Sequence, residues 1–252
     1  MTESVAPGAP FETLGEDRPG RWLVTCDHAT NIVPPWVNGG DLGLPEEDMA
    51  RHIAYDPGAA GVTRALAELL NSPAILTRFS RLVIDPNRGE DDPTLIMKLY
   101  DGSLVPANAR LTRGEREARL ERLYRPYHQA YADLAARRRD VAILAIHSYT
   151  PQLRGRPPRP WHIGVLSADE DRRLAEPFIR RLSAESGLCV GDNEPYGGHL
   201  PGDSIDRHCL VPGRPNLLVE LRNDLIQTAD QQRDWAERLA PALQGAAEQA
   251  EV

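Results

Sequence analysis

Three apolar runs in this chain stop at residues that a protein interior tolerates badly. Asn216-Leu217-Leu218-Val219-Glu220-Leu221-Arg222-Asn223-Asp224 sets a glutamate at the end of a strand-like stretch. Leu23-Val24-Thr25-Cys26-Asp27-His28 and Ala142-Ile143-Leu144-Ala145-Ile146-His147 repeat the design, each closing on a histidine. A carboxylate in such a place is costly to desolvate unless it has a partner or a task. Ligands of open α/β sheets bind beyond the carboxyl ends of the strands. His28, His147 and Glu220 at three strand ends therefore read as a hydrolytic metal centre at the edge of a parallel sheet.

The spacing between these runs fills in the rest of the sheet. Strands are expected at Trp22–Cys26, Pro73–Leu76, Leu82–Ile84, Val141–Ile146, His162–Leu166, Cys189–Val190 and Leu217–Leu221. Asp48–His52 suggests a short helical turn. An amphipathic helix should run to about Leu70, with Asp56 as N-cap and Pro57 at its first position. Arg113–Arg139 is a long charge-laced helical pattern that Pro126 should break or kink. Helices are also expected over Asp169–Ser186 and Ala229–Glu248. Strands alternating with helices predict an α/β fold, a mixed and mostly parallel sheet flanked by helices. The chemistry spans residues 28 to 222 of a 252-residue chain, so one domain over 22–252 is expected, with 1–21 a loosely ordered lead-in.

Charge and cysteine content narrow the partners. The formal charge of −8 argues against nucleic acid or an anionic membrane as main partner. No run approaches the roughly 18 apolar residues of a membrane span, and residues 1–20 lack the apolar core of a signal peptide. Cys26, Cys189 and Cys209 are scattered, which suggests reduced thiols and a cytoplasmic setting. Arginine strongly outnumbers lysine, and its planar fork is the better carboxylate holder. A small-molecule partner is expected; a homo-oligomer is compatible with the composition.

Neutral imidazole suits zinc, and catalytic zinc sites use three protein ligands and keep a position open. His28 and His147 supply two. Asp56 ranks first as the third, because a carboxylate can cap a helix and still offer its other oxygen; Asn31, three residues after His28, ranks second. Asp27 is placed to orient a ligating histidine. A second cluster, Arg78-Phe79-Ser80-Arg81-Leu82-Val83-Ile84-Asp85-Pro86-Asn87-Arg88, offers Arg81, Asn87 and Arg88 as an anion clamp. Surface pairing with Glu90, Asp91 and Asp92 is the competing role. Tyr196 stands in a glycine-rich turn as a substrate hydrogen-bond donor or loop anchor. His199, in the same turn, sits in a loop that could cover the site. Arg222 shares the face of Glu220, with Asp224 as a competing partner. For His128, helix packing or surface exposure is expected rather than catalysis.

Cys26-Asp27-His28-Ala29-Thr30-Asn31, Ser80–Arg88, His147-Ser148-Tyr149, Asn193-Glu194-Pro195-Tyr196-Gly197-Gly198 and Val219-Glu220-Leu221-Arg222 together resemble the N-formylglutamate amidohydrolase family. More distantly, they are similar to zinc carboxypeptidases and aspartoacylase-type deacylases. The resemblance implies a zinc-exopeptidase, phosphorylase/hydrolase-like domain. It places zinc on His28 and His147, carboxylate recognition on Arg81, Asn87 and Arg88, and base duty on Glu220. Two positions depart from the pattern: Asn31 replaces the glutamate of an HxxE site, and Ala145-Ile146-His147 lacks the acid of Asp-x-His. The implied activity is metal-dependent hydrolysis of an N-acyl, above all N-formyl, acidic amino acid. The rivals are a carboxypeptidase- or aminoacylase-like hydrolase, and a metal-free binder of small anions.

Overall fold

Strict alternation of apolar side chains decides the two faces of the central sheet. In the computed structural model, which describes residues 8–252, the strands are β1 (Phe11–Leu14), β2 (Trp22–Cys26), β3 (Ala74–Thr77), β4 (Leu99–Tyr100), β5 (Ser103–Leu104), β6 (Ala142–Tyr149), β7 (Ile163–Leu166), β8 (Val190–Asp192) and β9 (Asn216–Arg222). Helices are α1 (Glu46–Met49), α2 (Ala59–Leu69), α3 (Pro106–Ala109), α4 (Arg113–Arg119), α5 (Arg125–Ala136), α6 (Ala175–Ser183) and α7 (Ala229–Gln249). Seven strands form one sheet in the order β1-β3-β2-β6-β9-β7-β8. β3, β2, β6 and β9 run parallel, β1 pairs antiparallel with β3 and β7 antiparallel with β9, and β8 runs parallel to β7. The expected mixed, mostly parallel sheet is present.

Val24, Leu144, Ile146, Leu217, Val219 and Leu221 face one way, into a core built with α2, α6 and α7. Leu23, Ile143, Ala145 and Leu218 face the other way, against Tyr127, Tyr131 and Leu134 of α5. His147 and Glu220 continue the second parity, so both project on the α5 side. β6 and β9 run past these residues to Tyr149 and Arg222, and His147 sits directly beside Glu220 in the register.

Several expected elements changed. The lead-in 1–21 contains β1, paired with β3, among its described residues; residues 1–7 lie outside them. Leu82–Ile84 is no strand. It plugs a satellite core with Phe79 and Leu120, and side chains satisfy its carbonyls: Asn108 Nδ2 donates to Leu82 O and Arg119 Nη1 to Val83 O, both at 2.7 Å. Pro126 does not break the long helix. α4 and α5 join through a π-helical turn, Leu120–Tyr124, which widens the backbone just ahead of the proline.

Asp56 is not an N-cap. α2 starts after Gly58, which has φ +83° and no side-chain cap. A Cβ at Gly58 would lie 2.2 Å from the carbonyl oxygen of Ile226, so only glycine fits that turn. The Asp56 side chain is thereby free to turn inward.

Candidate active site

β2, β6 and β9 lie side by side, and their carboxyl ends bring the key residues together. His28 follows β2, His147 lies in β6 and Glu220 in β9. Asp56 arrives from the turn ahead of α2, where its backbone N–H donates to His28 O at 2.9 Å. All four are buried. Among the described residues, His28, Asp56 and His147 form one group whose ligand atoms lie within 4.8 Å of one another. Asp56 Oδ2 is the hub, 3.3 Å from His28 Nδ1 and 2.9 Å from His147 Nδ1. Its Oδ1 faces His52 Nδ1 at 3.2 Å and Arg81 Nη1 at 3.5 Å.

The hydrogen bonds say what belongs between these atoms. His28 Nε2 is 2.7 Å from Asp85 Oδ1, which makes that nitrogen the donor. As a neutral ring, His28 presents its Nδ1 lone pair to the Asp56 carboxylate, and two acceptors in contact call for a cation between them, a proton or a metal ion. Nearby, Asp27 and Tyr127 form a second buried pair, the hydroxyl donating to Asp27 Oδ1 at 2.5 Å. Asp27 Oδ2 and His147 Nε2 stand 3.7 Å apart, both without a hydrogen-bond partner. Each candidate ligand histidine thus has a carboxylate behind it, the usual arrangement around a metal. Asp27, just past the end of β2, is the acid that faces His147 where an Asp-x-His pattern would have supplied one.

Charge balance points the same way. Asp27, Asp56, Asp85 and Glu220 surround a single buried guanidinium, Arg81, which pairs with Asp85 Oδ2 at 2.8 Å. With neutral imidazoles the cluster carries excess negative charge, an expensive state in a buried site. Without a metal, a proton answers it. Burial opposes charge on His147, but the Asp56 hydrogen bond and the Asp56, Glu220 and Asp27 charges raise it to about 9. Burial lifts Glu220 to about 7 against the pull of His147. Burial also works against ionised Asp56 and Asp85, yet the histidines hold Asp56, and Arg81 with His28 holds Asp85, well below the usual carboxylate range. Two imidazole nitrogens and a carboxylate oxygen suit a divalent ion of the zinc type.

A cavity of about 300 Å³ opens above this cluster. His28, His147, Glu220 and Arg81 form part of its wall; Asn87, Arg88, Tyr100, Tyr196 and His199 form much of the remainder. Asn87 Oδ1 accepts from the Ser204 N–H at 3.2 Å, which leaves its amide hydrogens for a ligand. Arg88 donates to Thr94 Oγ1 and to Asn87 O but has no acidic partner among the described residues. The loop carrying Tyr196 and His199 is fastened at Gly198, where a Cβ would stand 1.8 Å from Ser167 O.

A family model described as N-formylglutamate amidohydrolase matches residues 20–227. The chain belongs to this family. It is 28% identical over 235 residues to the N-formylglutamate deformylase of Pseudomonas aeruginosa, covering 86% of this chain and 85% of that one. A solved gene product of Agrobacterium tumefaciens is 33% identical, with a TM-score of 0.90 and 97% of each chain covered. The N-formylglutamate amidohydrolase of Ralstonia eutropha shares the fold at 23% identity and a TM-score of 0.67, covering 95% of this chain and 99% of that one.

The cavity and the donor group take in most, though not all, of the residues the sequence marked. Asn31 is not in the group: its amide donates to Met49 O at 2.8 Å. Arg222 does not line the cavity; it pairs with Asp224 at 2.8 Å and reaches the carbonyls of Arg159 and Trp161 at 3.4 Å. His128 is buried rather than exposed, and its Nε2 lies 3.0 Å from Pro86 O, behind the Asp-Pro-Asn-Arg turn. His52, Tyr100, Tyr127 and the partnership of Asp85 with His28 escaped sequence reasoning. Only Asp85 carried a signal, as a buried acid four residues after Arg81 in an apolar run. No helix among the described residues is long and apolar enough to cross a membrane.

Proposed function

We propose that this chain hydrolyses the N-acyl amide bond of an acidic amino acid, with N-formylglutamate as its substrate and His28, Asp56 and His147 holding one zinc ion. The observation that carries this reading is the His28–Asp56–His147 donor group beside the buried Glu220, at the ends of neighbouring strands beneath a small cavity. The deformylase relatives supply the substrate class. When bound, the ion polarises the acyl carbonyl and acidifies water.

The side chains carry the remaining work. Glu220 Oε2 is buried with no hydrogen-bond partner, so it is free to take the proton of the attacking water. It then passes that proton to the departing amine nitrogen, releasing formate and the free amino acid. Arg81, locked by Asp85 and Asp56, keeps a fixed positive charge beside the carbonyl oxygen as negative charge builds there. Arg88 and the amide hydrogens of Asn87 hold a substrate carboxylate, which converts binding energy into orientation. Tyr196 closes the rim as a further hydrogen-bond donor.

The test combines metal content with substrate choice. Protein purified without chelator or histidine tag should carry about one divalent ion per chain, as a three-ligand site requires. Its kcat/KM should be highest for N-formylglutamate, lower for N-acetylglutamate, and lowest for peptides ending in glutamate. Preference for the peptides would move the reading to a carboxypeptidase. Full turnover by metal-free protein would remove the ion from the mechanism.

A further inference from the structure

Two guanidinium groups at the cavity have no acidic partner among the described residues, Arg88 and Arg159. Arg88 lies in the wall. Arg159 stands at the rim, its Cζ 5.0 Å from the ring centre of Tyr196, which lines the cavity, and 5.4 Å from that of Tyr149, two residues beyond His147. An arginine stacked on two aromatic faces keeps the part of its hydrogen-bonding edge that the loop does not use available.

Arg159 is also held in place. It lies in the proline-rich loop between β6 and β7, bracketed by Pro157, Pro158 and Pro160. Those rings restrict the backbone before any ligand arrives. Its N–H donates to Pro151 O at 2.8 Å, its Nη1 to Thr150 O at 3.0 Å, and its carbonyl accepts from Arg222 at 3.4 Å. A fixed cation without an acid, beside a cavity that already contains one, is a two-carboxylate arrangement.

We propose that Arg159 binds the side-chain carboxylate of a dicarboxylic substrate and so selects acidic over neutral N-acyl amino acids. The assignment rests on the amidohydrolase reading above. The α-carboxylate shares a carbon with the scissile nitrogen, so it must lie near Glu220, within reach of Arg88 and Asn87. The side-chain carboxylate extends farther, toward the rim. This gives the loop Leu153–Pro160 a specificity role that neither the metal centre nor the base explains.

The experiment measures binding and turnover separately, on metal-loaded wild type, Arg159→Met and Arg159→Lys. Calorimetry compares glutarate with butyrate; kinetics compare N-formylglutamate with N-formylglutamine. Wild type should favour each diacid at least tenfold. Arg159→Met should lose about 10- to 100-fold on the diacids and little on butyrate or N-formylglutamine, the range of one to two charge-assisted hydrogen bonds. Arg159→Lys should recover part of the loss. Equal losses on diacid and monoacid would reduce Arg159 to a loop anchor and overturn the assignment, as would an unchanged diacid preference. Wild type that favours glutarate yet hydrolyses no N-formyl amino acid would sink the amidohydrolase reading while leaving Arg159 as a carboxylate site. Hydrolysis without diacid preference would do the reverse.

Discussion

The floor and the rim of the cavity are built on opposite rules. On the floor, His28, Asp56, Arg81 and Asp85 are buried and bonded to one another. Above it, Arg88 in the wall and Arg159 at the rim have no acidic partner among the described residues and are carried by loops. A buried network of mutually bonded side chains resists change and holds reacting groups in one geometry. Groups left unsatisfied at the edge can discriminate between ligands, because a substrate completes bonds that the protein did not. On the proposed function, chemistry belongs to the floor and choice of substrate to the wall and rim.

The sharpest way to break that division is to remove a floor residue. His147→Ala should lose the bound ion and lower kcat/KM by at least about three orders of magnitude. His28→Ala should do the same and also destabilise the fold by about 1–3 kcal/mol, since it takes one hydrogen-bond partner from each of the buried carboxylates Asp85 and Asp56. Metal analysis and urea unfolding separate the two effects. Retained metal in either variant would take that histidine out of the site.

Glu220→Gln keeps the shape and removes the basicity. Turnover should fall by about two to four orders of magnitude with metal content and KM nearly unchanged. Near-normal kcat would assign the base to another floor carboxylate.

Asp27→Asn probes support behind the floor. If Asp27 orients His147, its loss should weaken metal affinity by about 10- to 100-fold, read by competition with a chelating dye. Tyr127→Phe should produce a smaller change of the same sign. Unaltered affinity in both would leave the pair as core packing only.

The smallest effect concerns the scaffold of the rim. His128 Nδ1 and His208 Nε2 are 2.9 Å apart, behind the turn that carries Asn87 and Arg88. Burial holds His128 well below its ordinary value, and burial with Arg207 and Arg214 pulls His208 down to about 3. The unfolded chain therefore binds more protons below about pH 6.5. Stability from this pair is fully present above that pH and declines as pH falls toward 3, at roughly 1.4 kcal/mol per unit for each histidine. Urea midpoints measured from pH 7 to 4.5 should decline less steeply in His208→Gln. Identical slopes would mean other groups dominate acid unfolding.

Much of this division was legible before folding. Continuous apolar runs located β2, β6 and β9, and a histidine or glutamate closing each run marked the floor. Those signals are local: a charged or polar residue at a strand end must have a reason to be there, whatever the fold. The apolar run Leu82–Ile84 carried the same local signal and misled, because its backbone partners are side chains of Asn108 and Arg119, distant in sequence.

The sequence alone determined the alternating architecture, the candidate ligand histidines, the candidate base and the family pattern that contains them. The tertiary structure decided what depends on pairing across the chain. It turned Asp56 from a helix cap into the hub of the donor group, because the Gly58 turn starts α2 two residues later and leaves the carboxylate free. It set Asp85 behind His28 and Asp27 behind His147, removed Arg222 from the cavity, and brought Arg159 to its rim. Each outcome turns on which charged group finds a partner in space. Residue type and local periodicity carry no record of that, since the partners lie up to a hundred residues apart, as Tyr127 and Asp27 do.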